Sequence, residues 1–286
     1  MKMMLLRFNL LIPVLLICGQ MIYCTPTSKN KDNDANLGLI VILQSQTARP
    51  DTSCPTKTLP NGIPLATTVI SASSSVSGFN DSSKTTNGIC GGGETSGSLD
   101  VYSLNLTGSG ATLKLSWGGK SVQNVSGTDF IVYENAFKIS ETSDRYLMDP
   151  MVVEVSVDDS VYCGFTLAYD STSSTLNKIA SWSGFAGLRP VLYNMGSTIF
   201  TLEELFTSTG SGFLKGGGDG FDLEDLITSG TCTTTIRNGI KSTGFKYLKL
   251  TSATAVTNPA TGNAYTYPHS FDNGPDIDGV VAKSVQ

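Results

Sequence analysis

Met151-Val152-Val153-Glu154-Val155-Ser156-Val157-Asp158 and Tyr162-Cys163-Gly164-Phe165-Thr166-Leu167-Ala168-Tyr169 are two β-rich runs around Asp158-Asp159-Ser160. In the first run Met151, Val153, Val155 and Val157 alternate with Val152, Glu154, Ser156 and Asp158. That period of two is the mark of a strand with one face in a core. The polar tripeptide between the runs has turn chemistry, so the two runs predict a β-hairpin.

Strand signals continue outward on both sides. Thr68-Val69-Ile70-Ser71-Ala72 is short and β-rich, and Val101 to Leu106 alternates. Leu113, Leu115 and Trp117 alternate with Thr112, Lys114 and Ser116, the pattern of a half-buried strand. Phe130-Ile131-Val132-Tyr133 is apolar on both faces and predicts a central strand. Phe245 to Leu250 predicts another. Short helices are expected only at Thr201 to Phe206 and Leu223 to Ile227. Long glycine-rich loops, Gly88 to Gly97 and Gly210 to Gly220, separate the strands. The expected fold is all-β, an antiparallel sandwich of the jelly-roll kind with short helices.

The front of the chain reads as an address. Lys2 and Arg7 precede an apolar run from Leu10 to Cys18, extended by Met21, Ile22 and Tyr23, and the chain turns polar directly after Cys24. This three-part layout predicts a secretory leader over residues 1–23, too short and interrupted for a membrane span. Cys24 stands where a bacterial lipoprotein carries its lipidated cysteine, although Tyr23 replaces the usual small residue, and Cys18 is a second candidate. A diacylglyceryl group on Cys24 would anchor the chain in a lipid bilayer, since each buried methylene contributes about 0.8 kcal/mol. Residues 24–60, with Pro26, Pro50, Pro55 and Pro60, predict a polar tether containing one apolar island at Leu37 to Leu43. Residues 61–286 then form the sandwich domain.

Charge and cysteines fit this address. Without the leader's two basic residues, Lys and Arg fall from 19 to 17 against 24 Asp and Glu, a net charge of about −7. An acidic chain lacking basic clusters argues against nucleic acid as a partner. Beyond Cys18 and Cys24 there are Cys54, Cys90, Cys163 and Cys232, none in a Cys-x-x-Cys pair. Two disulfides in an oxidising compartment are expected. Three pairings exist, and Cys54–Cys90 with Cys163–Cys232 is favoured because each bridge closes one half of the chain.

His269 is the one histidine, which leaves no two-histidine metal motif. No nucleophile elbow or phosphate-binding loop is present, because Gly216-Gly217-Gly218 lacks a following Lys-Ser/Thr. Carboxylates cluster instead in two glycine-bracketed loops. One runs from Gly216 through Asp219, Asp222 and Asp225; the other is Asp272-Asn273-Gly274-Pro275-Asp276-Ile277-Asp278-Gly279. Closely spaced Asp with freed backbone can supply the six to eight oxygens that calcium takes. The spacing matches neither an EF-hand nor a repeated calcium β-roll. Turn and helix-cap roles are the alternative for the same acids. Glu134, Glu154, Asp219 and Asp222 are the carboxylates available to a glycoside hydrolase, with Trp117 and Trp182 as the tryptophans for sugar stacking. Two tryptophans form a thin platform, so a non-enzymatic role is preferred.

The middle of the chain resembles a group of bacterial cell-surface domains. Asp129-Phe130-Ile131-Val132-Tyr133-Glu134-Asn135-Ala136-Phe137 is similar to their Asp-Phe-Val-Val-Phe-Glu-Asn-x-Phe pattern, and Val152 to Asp158 to their Val-Glu-Val-Ser strand. Ala186-Gly187-Leu188-Arg189-Pro190-Val191, Gly217 to Asp225, Tyr247 to Leu250 and Asp276 to Val280 follow in the same order. The resemblance spans residues 100–282, and the front end looks like leptospiral lipoproteins. It implies a galactose-binding-like sandwich and a surface address, and no particular activity. It also implies that Asp129 and Glu134 flank a central strand, where the acidic loops can converge on a cation site or ligand cup with Asn135 adding an amide. The combined expectation is a lipid-anchored envelope protein, in the outer membrane or at the cell surface. It would bind a glycan or a protein through a loop-built face. Its metal ligands, if calcium orders the loops, would come from Asp129, Glu134, Asp219, Asp222, Asp225, Asp276 and Asp278. A structural envelope component without a small ligand is the rival.

Overall fold

The structure, a computed structural model, describes Cys54 and residues 62–172, 175–197, 200–267 and 273–286. The leader, Cys24, the apolar island, His269 and Asp272 lie outside the described residues.

Fourteen strands are described. They are β1 (Thr68–Ala72), β2 (Tyr102–Ser103), β3 (Thr112–Ser116), β4 (Phe130–Glu134), β5 (Phe137–Lys138), β6 (Tyr146–Leu147) and β7 (Met151–Ser156). Then come β8 (Cys163–Gly164), β9 (Ala168–Tyr169), β10 (Trp182–Ser183), β11 (Phe185–Ala186), β12 (Asp219–Phe221), β13 (Tyr247–Ser252) and β14 (Asp276–Ala282). Two antiparallel sheets dominate. One has the order β1-β3-β13-β7-β11, with β8 also on β7, and the other has the order β12-β4-β14-β2.

Register explains why the first sheet has one wet face. Leu248 of β13 lies between Leu115 of β3 and Val155 of β7, and Leu250 lies between Leu113 and Val153. These rows of aliphatic side chains face inward. Lys249, one residue off, lies between Lys114 and Glu154 on the outer face. The inward rows pack with Phe130 and Val132 of β4 and with Ile277, Val280 and Ala282 of β14 in one buried core. The fold is therefore an all-β antiparallel sandwich.

The second sheet is buried on both faces. Ile131, Tyr133 and Val281 point away from the sandwich core and pack with Leu65, Ile89, Val191, Tyr193 and Leu205. This second layer is why β4 is apolar at every position. A β-bulge separates Ile277 from Gly279 on β14, opposite the end of β4. The extra residue is Asp278. It resets the alternation so that Ile277 and Val280 share the sandwich core.

The expected hairpin forms, but its second arm is short. β8 pairs with β7 only through Cys163 and Gly164. Val157 is exposed while Ser156 is buried, the reverse of the simple alternation. The cause is the turn, where the Ser156 hydroxyl accepts from the amides of Asp158 (3.3 Å) and Asp159 (3.1 Å). A ten-residue helix, Thr234–Thr243, follows Thr233, whose hydroxyl accepts from the Ile236 amide. The sequence reading missed it, because its Thr-rich start and Gly239 speak against a helix. Disulfides join Cys54 to Cys90 and Cys163 to Cys232, with Cα–Cα distances of 5.6 and 5.2 Å. Among the described residues no helix is long and apolar enough to cross a membrane.

Candidate functional site

A cleft of about 390 Å³ opens where the β10–β11 turn, the segment after β11 and the turn after β12 meet. Its size is within the range of small-molecule seats, roughly 300–1,000 Å³. Phe165 and Phe221, 4.9 Å between ring centroids, supply apolar floor. Thr166, Trp182, Ser183, Gly184 and Arg189 also line it, and Asp222 and Asp225 give it an acidic wall.

Arg189 is held in place from behind. Asp219 on β12 is buried, and its Oδ1 accepts from the Arg189 guanidinium at 2.6 Å. Its Oδ2 accepts from the amides of Leu188 (2.8 Å) and Arg189 (3.4 Å). Burial pushes the Asp219 carboxyl above its ordinary value, and Arg189 and the two amides pull it back. A guanidinium carries five N–H donors, so Asp219 leaves others for the cleft. Burial of the carboxylate at 3% exposure against 31% for the arginine side chain makes Asp219 the support and Arg189 the contact.

The acidic wall is a capped turn. Asp222 precedes the 3-10 turn Leu223–Asp225, and its Oδ1 accepts from the Glu224 amide at 2.8 Å. This is the capping role that a short polar side chain takes at a helix start. Asp225 is exposed on the rim. Behind the wall, Asp129 is fully buried. Its Oδ1 accepts from the Val125 amide at 2.6 Å and its Oδ2 from the Leu223 amide at 2.7 Å.

The seven carboxylates expected to share a metal are dispersed. Asp219, Asp222 and Asp225 line the cleft, and Asp129 lies behind it. Glu134 sits at the other end of β4 and accepts from the Asp276 amide at 3.1 Å. Asp276 itself pairs with Ser103. Asp278 accepts from the Cys90 amide at 2.8 Å, under the second core. Among the described residues no group of three or more His, Cys, Asp or Glu side chains is placed to hold a metal ion. The physical reason is plain for Asp129, Asp219 and Asp278: each spends its charge on backbone amides that the sandwich would otherwise leave buried and unpaired.

Of the hydrolase candidates, Asp219 and Asp222 share the cleft and the other two lie elsewhere. Glu134 is not among the cleft residues, and Glu154 pairs with Lys249 at 2.7 Å on the outer face of the first sheet. Both tryptophans are packed inside. Trp117 donates to the Pro64 carbonyl at 3.0 Å and Trp182 to the Leu176 carbonyl at 2.8 Å, and both rings are largely buried, with Trp182 among the residues that line the cleft. Arg189 and Asn135 differ in outcome too: Asn135 bonds the Ser98 backbone, while Arg189, which sequence reasoning passed over, is the cleft's cation. Its only signal was its place in the Ala186-to-Val191 segment, to which the sequence assigned no role.

No family model matches the chain, and neither does any curated protein or solved structure.

Proposed function

We propose that this chain is a lipid-anchored binding module of a bacterial cell envelope, non-enzymatic, with the cleft beside Arg189 as the seat of a glycan. The observation that carries the reading is the presence of opposite hydrogen-bonding characters in one concavity. Arg189, propped by buried Asp219, offers only donors. Asp222 and Asp225 offer only acceptors, and Phe165 and Phe221 offer apolar surface in the same cleft. Sugar hydroxyls donate and accept at once, and sugar C–H faces are apolar, so such a ligand satisfies all three surfaces. The leader and Cys24 supply the address, and the acidic surface keeps nucleic acid away.

The test is saccharide binding by the purified, disulfide-bonded protein on a glycan array, followed by calorimetry. We expect bound saccharides to lose at least about tenfold in affinity in Asp222→Ala and Asp225→Ala, roughly 1.4 kcal/mol each. Asp225 is solvent-facing, so its variant should keep the melting temperature, whereas Asp222→Ala also loses the cap on the Glu224 amide and should cost about 1 kcal/mol of stability. Absence of any saccharide ligand, or binding indifferent to both variants, overturns the reading.

A further inference from the structure

The carboxylate of Asp129 has no access to solvent, yet it is bonded to the turn that forms the cleft's acidic wall. Its Oδ2 holds the Leu223 amide, the residue directly after Asp222 and the first of the 3-10 turn that carries Asp225. Its Oδ1 holds the Val125 amide in the neighbouring loop. Its own amide donates to the Phe221 carbonyl at 2.8 Å, on the cleft floor. One side chain thus fixes where Asp222 and Asp225 stand.

We propose that Asp129 is a positioning residue that latches the acidic wall, so that occupancy of the cleft is linked to a single proton on its carboxylate. The proposal rests on the cleft being the ligand seat. An ionised carboxylate accepts at both oxygens, whereas a protonated one turns one oxygen into a hydroxyl and loosens the amide that it held. Burial raises the Asp129 carboxyl to about 6, against the opposing pull of the Leu223 and Val125 amides. The charged groups around it act in both senses. Asp222 raises it further and Lys283 lowers it. Glu224 and Asp225 lie on the turn that Asp129 holds, and Glu224 is paired with Lys241 of the adjacent helix. Linkage is reciprocal, so a ligand that needs the wall in place must lower the affinity of Asp129 for its proton.

The experiment is an NMR titration of the purified, disulfide-bonded protein from about pH 7.5 to about pH 5, reading the Asp129 side-chain carbon and the Val125 and Leu223 amides. We expect one transition with a midpoint near 6, shared by the three signals. Amide protection at Leu223 should fall at least about tenfold across it. Asp129→Asn should lack the transition. Asp222→Asn, which keeps the latch and removes the charge that raises it, should move the midpoint down. Constant protection of Leu223 and Val125 across the window, or a midpoint unmoved in Asp222→Asn, overturns the latch. Any array-positive saccharide should bind at least about tenfold more weakly at the low end in the wild type and not in Asp129→Asn. A protein that shows the transition but binds no saccharide keeps the latch and loses the glycan reading.

Discussion

Asp278 shows what a single carboxylate does in this fold. It is the extra residue of the β14 bulge, wholly buried, and one of its oxygens accepts from the Cys90 amide. Its other oxygen has no hydrogen-bond partner among the described residues. Burial raises its carboxyl well above 3.8, with Asp100 adding to the effect. A group raised on folding favours the folded state fully below its unfolded value, and that contribution is lost as pH rises through the folded one. We therefore expect the melting temperature of the wild type, relative to Asp278→Asn, to be highest in acid and to fall as pH rises. Asp278→Ala should cost about 1–3 kcal/mol at any pH, because the Cys90 amide loses its acceptor; chemical denaturation of the two variants measures both effects. The position of Asp278 was legible in the sequence as one of a series of acids, but its role was not. The order of residues places Asp219, Asp276 and Asp278 beside or near glycines. It does not show that a bulge turns Asp278 inward or that β12 buries Asp219 against β4. The hydrogen-bond partners of Asp129, Asp219 and Asp278 give these three acids a scaffold role.

Among the elements, those with long alternating runs were the legible ones. β1 and β3 fall where the sequence pattern placed them, and β7 and β13 within two residues. β2 keeps only Tyr102 and Ser103 of the six-residue run that announced it, since its partner β14 reaches no further. The helix Thr234–Thr243 carries its apolar contact on Ile236 and Ile240 alone, too thin a stripe to stand out. The glycine-rich segment before β12 is also a packing element. Gly217 has φ of +70°, and a Cβ there would sit 2.0 Å from the Pro190 carbonyl oxygen. Gly212 has φ of +80° and open space around it. Gly217→Ala should therefore prevent the β12 segment from seating, with a loss above about 3 kcal/mol, while Gly212→Ala should cost about 1 kcal/mol from backbone strain alone. Urea titration of the pair separates steric exclusion from conformational preference.

At the scale of the whole molecule, the two bridges and the two sheets divide the work of holding the chain. Cys163–Cys232 closes a loop of 69 residues between β8 and the helix, and Cys54–Cys90 one of 36. Restricting the unfolded chain over the longer loop is worth about 4 kcal/mol, so the Cys163→Ser, Cys232→Ser double variant should melt roughly 10 °C lower by calorimetry. The sandwich class was readable because the rows on β3, β7 and β13 alternate cleanly. The second core was foreshadowed by one segment only, Phe130-Ile131-Val132-Tyr133, whose lack of a polar face required cover on both sides. Its neighbours in the sheet are β12 and β14, and both lie later in the chain. A polypeptide emerging from the ribosome therefore shows this stretch, with no polar face, well before residues 219–221 and 276–282 are made to flank it. During that interval it is the natural target for a holding chaperone, and a pause in synthesis between the two would leave the most adhesive segment of the nascent chain uncovered.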